Sequence, residues 1–359
     1  MLIEAGRENH HLFILRSGRL EVFLRLDTPQ PLRVISPGEM LGEMSVIDGG
    51  AASAYIRSAG VSEVIAIHER DFWQWLAPLP GLMRKLTRLL TQRFRAVNEQ
   101  AAESLTRQLQ LEHLKKELAT AASIQMGMLP ALPLFPGHPE IESHAALLPA
   151  KMVGGDLYDA FMRDEDCALL AVGDVSGKGM PAALFMMRTL TLLRAHGNAR
   201  TDPAQLLPLL NALLGENNEA DMFVTLYVAL LELRTGRLSL LNAGHLPPLL
   251  SRRGGPFAEV HGARGVLLGI MPSDRFSLAE IVLEPGDRIL FYTDGVTEAE
   301  NPAQEQFGLA RTREALDRMP SAAKMRDLVD GLVQAVAGFA GEAEQSDDIT
   351  VMGLKYLGA

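Results

Sequence analysis

Four aspartates of this chain stand where an apolar run breaks into a short turn, a setting that holds a carboxylate rigidly. Asp174 lies in Gly173-Asp174-Val175-Ser176-Gly177-Lys178-Gly179, just after the apolar stretch Cys167–Val172. Asp156 follows Gly154-Gly155, and Asp294 follows Ile289-Leu290-Phe291-Tyr292-Thr293 and precedes Gly295. Asp347 opens Asp347-Asp348-Ile349-Thr350-Val351, an acidic turn running into a strand. Carboxylates are hard oxygen donors, suited to Mg²⁺ or Mn²⁺ and not to zinc. One aspartate beside a glycine is usually only a turn former. Four of them at apolar strand ends, far apart in sequence, predict a single polynuclear metal site. Two ions roughly 3.5–4 Å apart clamp a phosphoryl group and activate water, so no Ser, Cys or His nucleophile is required. Asp174 is placed to bridge, with Asp156, Asp294 and Asp347 on the flanks.

Other polar residues near these turns carry weaker expectations. Asp159 and Asp348 read as supporting or capping acids rather than ligands. His245, in Asn242-Ala243-Gly244-His245-Leu246-Pro247-Pro248, is expected to orient its loop through a hydrogen bond rather than to serve as a general acid. Gly177-Lys178-Gly179 lacks the glycine spacing and the Ser/Thr after Lys of a P-loop, which excludes nucleotide binding there. Cys167, the single cysteine, reads as a small apolar residue of a strand and rules out a disulfide framework or a zinc cluster.

The elements that must position these groups fall in three parts. Residues 1–76 show short strands around Leu12–Leu15, Leu20–Leu24, Val34–Ile35 and Val64–Ile67, the pattern of a β-roll. From Leu82 to Met128 there is no proline, and Leu86, Leu90, Phe94, Val97, Ala101 and Leu105 form a near-heptad stripe. It resumes at Leu111, Leu114, Leu118 and Ala121 after a slip near Gln108, so residues 77–129 are expected to be a coiled-coil stalk of a homodimer. Residues 130–359 alternate strand runs with helix pairs. Expected strands are His144–Leu148, Asp156–Met162, Ala168–Val172, Phe223–Glu232, Arg237–Asn242, Pro248–Leu250, Phe276–Leu283, Asp287–Thr293 and one from Ile349. Expected helices are Met180–Ala195, Pro203–Leu214, Arg311–Met319 and Met325–Phe339, which points to antiparallel sheets flanked by helices.

Composition narrows the function. A chain of 359 residues, 47% hydrophobic and 22% charged, has room for two globular domains and a connector. It shows neither an apolar run of membrane-spanning length nor a secretory start, so a cytoplasmic protein without a membrane partner is expected. Residues 1–100 hold 12 Lys/Arg against 11 Asp/Glu, leaving 22 against 33 in the remainder. That acidic excess excludes nucleic acid as the ligand of the C-terminal part and suits the capture of divalent cations.

Two resemblances follow from these residues. Leu12–Val22 and Gly42-Glu43-Met44-Ser45-Val46-Ile47-Asp48 resemble the early β-roll and phosphate-binding cassette of cyclic nucleotide-binding domains. That family places an arginine for the cyclic phosphate near the end of the cassette, where this chain has Ala52, so a roll that has lost cyclic-nucleotide binding is expected. Residues 122–354 resemble the metal-dependent serine/threonine phosphatases of the 2C type, in particular the bacterial, sporulation stage II E-like branch. The match is carried by Ala122–Pro130, Val153–Asp159, Gly173–Gly179, Asn242–Pro248, Tyr292–Glu298 and Asp347–Val351, in that branch's order. The resemblance implies a four-layer α-β-β-α domain and metal ligation by Asp156, Asp174, Asp294, Asp347 and the Val175 carbonyl. It also implies two Mn²⁺ or Mg²⁺ ions and a phosphorylated protein substrate of the anti-sigma-factor-antagonist type. A non-catalytic scaffold and a phosphatase of small phosphate esters are the competing readings. Control is expected through the stalk, whose register would set the helices at Met180–Ala195 and Pro203–Leu214.

Overall fold

The computed structural model describes residues 1–359 except 199 and 274. It divides into two compact units, Met1–Gln110 and Leu111–Ala359.

In the first unit, strands β1 (His11–Ser17), β2 (Leu20–Phe23), β3 (Arg33–Ile35) and β4 (Met40–Leu41) lead to a short helix, α1 (Glu43–Asp48). Strands β5 (Tyr55–Ser58) and β6 (Glu63–His68) complete two three-stranded antiparallel sheets, ordered β4-β1-β6 and β3-β2-β5. Leu15, Leu20, Ile35, Leu41 and Ile56 fill the space between them. This is the expected β-roll, with two strands, β4 and β5, that the sequence pattern does not mark. The roll closes with a three-residue α2 (Glu69–Asp71) followed by a π-helical turn, Phe72–Leu76.

Helix α3 (Leu82–Met126) is one unbroken element of 45 residues. Its first stripe residues are not free for pairing. Leu86 is buried in a small core with Leu12, Val46 and Phe72, and Leu90 packs against it. Further on, the stripe lies open: Phe94 is 66% exposed, and Val97, Leu105, Leu111 and Leu114 are exposed with it.

The second unit is built on two five-stranded antiparallel sheets. One is ordered β14-β11-β10-β9-β8, from β8 (Leu157–Met162), β9 (Cys167–Val175), β10 (Val224–Glu232), β11 (Arg237–Ala243) and β14 (Leu278–Val282). The other is ordered β13-β12-β15-β16-β7, from β7 (Ile141–Leu148), β12 (Leu249–Ser251), β13 (Phe257–Glu259), β15 (Arg288–Tyr292) and β16 (Ile349–Tyr356). Burial on both faces explains why these strands read as continuous apolar runs rather than alternations. Val172, Tyr227, Leu240, Phe291 and Met352 meet between the sheets, with the Tyr227 and Phe291 rings 5.8 Å apart. On the outer face of the first sheet lie α4 (Met180–His196) and α5 (Pro203–Gly215), through Met186, Leu190, Leu207 and Leu210. Helices α7 (Gly308–Asp317) and α8 (Met325–Ala340) cover the second sheet through Leu316, Leu328 and Leu332. The order is therefore helix, sheet, sheet, helix, as expected. Asp202 caps α5 by accepting from the Ala204 N–H, and Pro203 follows at the first helical position, as helix starts prefer.

Two local differences bear on the site. The third strand does not stop at Val172. Pairing of Gly173, Asp174 and Val175 with Leu226, Thr225 and Val224 carries β9 to Val175, so Asp174 sits within a strand rather than in the following turn. Asp294 likewise does not lie in a plain turn. It opens a one-turn helix, α6 (Asp294–Thr297), after β15 ends at Tyr292. Cys167 begins β9 half-buried, at the strand's rim rather than inside it.

Candidate active site

The ends of β9, β15 and β16 and the turn before β8 meet at one edge of the two packed sheets, and each contributes one of the four aspartates. Asp156 is buried. Its Oδ2 accepts two hydroxyl hydrogen bonds, from Thr293 at 2.7 Å and from Thr350 at 2.6 Å. Its Oδ1 is buried and has no hydrogen-bond partner. A carboxylate oxygen left so is costly unless something positive meets it. Asp174, Asp294 and Asp347 are half-buried and open to one side.

The carboxylates act on one another. Burial pushes the Asp156 carboxyl well above the usual range, Asp174 adds to it, and the Thr350 and Thr293 hydroxyls oppose the shift. Asp174 is pushed up to about 7, by burial first and then by the charges of Asp294, Asp347 and Asp348. Asp294 is raised by burial and by Asp347. Among the described residues, no three carboxylate, imidazole or thiolate groups close on a single ion as they stand. The site is nonetheless short of positive charge, and its donor set fits a hard divalent cation. A buried oxygen without a partner, mutually raised carboxyls and oxygen-only donors all point that way.

The expected carbonyl ligand has a matching observation. A side chain at Gly155 would meet the Val175 carbonyl oxygen at 2.7 Å, so only glycine lets the Asp156 turn lie against it. A side chain at Gly295 would overlap the Asp348 carbonyl, which likewise keeps the Asp294 and Asp347 turns in contact.

Asp348 is an organiser rather than a member of the open cluster. Its Oδ1 accepts the Ala150 N–H at 2.8 Å, and its Oδ2 accepts those of Gly155 at 2.7 Å and Asp156 at 3.4 Å. Asp159 is also structural, paired with Arg194 of α4 at 2.7 and 2.9 Å. Two residues not read as part of the site from the sequence complete the support. Gln125, in the last turn of α3, donates to the Gly154 carbonyl at 2.6 Å and accepts from the Gly154 N–H at 3.3 Å. Arg194 donates to the Met128 carbonyl at 2.7 Å.

His245 proves to be a buried joint between the two sheets. The Asn242 side chain fixes its backbone from both sides, at 2.8 and 3.0 Å. The ring Nε2 lies 3.1 Å from the Tyr292 carbonyl and must donate to it, so Nδ1 accepts from the Thr225 hydroxyl at 2.8 Å. Thr225 pairs with Asp174, and Tyr292 precedes Asp294 by two residues, so the ring ties two of the four aspartates' strands together. Burial lowers the imidazole pKa to about 4, against a smaller opposing effect of the Tyr292 carbonyl. The unfolded chain therefore binds this proton first on acidification, and the stability it contributes above pH 6.5 is lost as pH falls towards 4. The stability gap between the native chain and His245→Gln, from denaturant melts, is expected to narrow by up to about 3 kcal/mol over that range.

The stage II sporulation protein E (SpoIIE) family profile matches residues 164–357, and that of the cyclic nucleotide-binding domain matches residues 1–78. Protein IcfG of Synechocystis sp. is 30% identical over 264 residues, covering 66% of this chain and 41% of that protein. The phosphoserine phosphatase RsbU of Bacillus subtilis is 29% identical over 249 residues, covering 68% of this chain and 71% of that one. The SiaA-PP2C domain of Pseudomonas aeruginosa superposes with a TM-score of 0.60 at 25% identity, covering 68% of this chain and 98% of that structure.

Proposed function

Because the chain belongs to the SpoIIE family, which matches more than half of its length, we propose that it is a metal-dependent protein phosphatase. It hydrolyses phosphoserine or phosphothreonine on an antagonist of an anti-sigma factor. The observation that carries this reading is Asp156, a buried carboxylate with one unpartnered oxygen that is grouped through Asp174 with Asp294 and Asp347; burial and mutual repulsion raise the carboxyl pKa values of Asp156, Asp174 and Asp294.

Asp156, Asp174, Asp294, Asp347 and the Val175 carbonyl would hold two Mn²⁺ or Mg²⁺ ions. Bound there, such ions lower the pKa of water and offset the charge of a phosphoryl group. The chain's part is placement. Thr293 and Thr350 fix the Asp156 carboxylate through Oδ2 and leave Oδ1 without a hydrogen-bond partner. Asp348 holds the backbone of Gly155 and Asp156, and His245 keeps the β10 and β15 ends in register. Neutral at working pH, His245 serves as a positioning residue and not as an acid.

A protein substrate is favoured over a small ester by likeness to the phosphoserine phosphatase RsbU. A ratio of kcat/KM for a phosphoserine antagonist protein over p-nitrophenyl phosphate well above 100, both with Mn²⁺, is expected. A ratio near one would favour the small-ester reading.

The N-terminal roll serves control. Its cassette glutamate, Glu43, is paired with Arg93 of α3, which also donates to the Met40 carbonyl at 3.2 Å. Ala52 lines the adjoining cavity of about 160 Å³ and offers no partner to a phosphate. Two arginines line the same cavity, but both are engaged, Arg33 with Glu39 and Arg93 with Glu43, so a cyclic phosphate buried there would break an ion pair or go unpaired, at a cost of several kcal/mol. Calorimetry is therefore expected to show no micromolar binding of cyclic AMP or GMP, and such binding would refute the assignment. The open stripe from Phe94 to Leu114 fits pairing with a second copy through a stalk at residues 77–129. The Gln125–Gly154 bonds give α3 a direct hold on the backbone two residues from Asp156.

A further inference from the structure

One cation of the chain itself stands at the carboxylate cluster. Lys178 lies on the turn after β9, between Gly177 and Gly179, whose φ values of +82° and +78° are left-handed. Its Nζ reaches the loop before β16 in the opposite sheet. There it donates to the Ser346 carbonyl at 2.6 Å and to Asp347 Oδ2 at 2.9 Å. Asp347 Oδ1 accepts the Asp348 N–H at 2.9 Å, so both oxygens of this carboxylate are already engaged. The ammonium is also close enough to Asp294 and Glu298 to oppose the rise in their carboxyl pKa values. Both partners of the Lys178–Asp347 pair are nearly half exposed, at 46% and 38%, and such pairs open readily.

We propose that Lys178 is a displaceable counter-cation of this site: its ammonium holds Asp347 until a divalent ion takes that carboxylate. Competition between the two then sets the affinity of the metal position that Asp347 serves. Lys178 is thus a positioning residue that acts through Asp347, and the proposal rests on the reading of Asp347 as a metal ligand. Its physical basis is repulsion. An ammonium 2.9 Å from Oδ2 and a divalent ion on the same carboxylate repel each other, so whatever holds the pair closed weakens metal binding by the same factor. Lys178 explains why Asp347 is the one aspartate of the four with a basic partner. It also gives the lysine of Gly177-Lys178-Gly179 a role other than nucleotide binding.

Titration calorimetry of the intact chain with MnCl₂ tests this. Lys178→Met is expected to tighten Mn²⁺ binding at the position served by Asp347 by about fivefold, and Lys178→Arg to stay within about twofold of the native chain. Thermal melts in chelator should show the same fold for all three, because the side chain is on the surface. A Lys178→Met chain that binds Mn²⁺ no more tightly than the native one would overturn the proposal and leave the metal site standing. A native chain that binds no Mn²⁺ at millimolar concentration would overturn the metal reading itself, and this proposal with it.

Discussion

Asp174→Asn is expected to lower phosphatase turnover by about 10³-fold or more, equivalent to ~4 kcal/mol of barrier, while raising the melting temperature of the chain in chelator. The two effects share one cause. Burial and the charges of Asp294, Asp347 and Asp348 hold the Asp174 carboxyl at about 7, so above that pH its ionised form is strained unless a cation is present. The sign follows from the raised folded pKa: the native state favours the proton, and stability is lost as pH rises through 7. Asparagine keeps the shape and removes the charge. At pH 8 the relief should be about 1–3 kcal/mol, discounted for partial exposure, or several degrees in a domain of this size. Turnover assays at saturating Mn²⁺ and melts in chelator read the two quantities separately. A variant that is less stable and still active would contradict the expectation that Asp174 bridges two ions.

Asp347 and Asp348 are adjacent acids with opposite expected phenotypes. Asp348→Ala should cost about 3–5 kcal/mol, because it strips buried N–H groups of Ala150, Gly155 and Asp156 of a charged acceptor. The melting temperature should fall by about 10 °C or more, and activity with it. Asp347→Asn should leave the melting temperature within a few degrees, since its half-exposed pair with Lys178 is worth at most about 1 kcal/mol. Its turnover should nevertheless fall by about 100-fold. Melting curves and turnover for both variants check the pair. The reverse pattern would shift the ligand assignment by one residue.

The four aspartates were legible because each breaks an apolar run, and such runs could be read as strands from sequence alone. The helices α4, α5, α7 and α8 were legible through apolar periodicity, to within three residues at their ends. The rest of the site rests on contacts that local pattern does not encode. Thr293 and Thr350 reach Asp156 from 137 and 194 residues away, and a threonine in a strand looks like any β-former. Gln125 looks like a polar residue on a long helix until Gly154 is folded against it. Asp174 was placed in a turn because Gly173-Asp174 reads as one. Pairing with Val224 and Thr225 overrode that local preference. His245 was expected to orient a loop, but its role as a joint depends on the meeting of two sheets. Asp348 reads from sequence as less important than Asp347, yet it accepts three backbone N–H groups at the site.

Phosphate release from a phosphoserine antagonist protein, followed against free Mn²⁺ in the intact chain and in Asp156→Ala, tests the central claim most directly. The native chain should show no turnover in chelator and a saturable rise with Mn²⁺, and the variant should show none at any concentration. Equal turnover with and without chelator, or an Asp156→Ala chain with the native dependence on Mn²⁺, would contradict a phosphatase built on these aspartates.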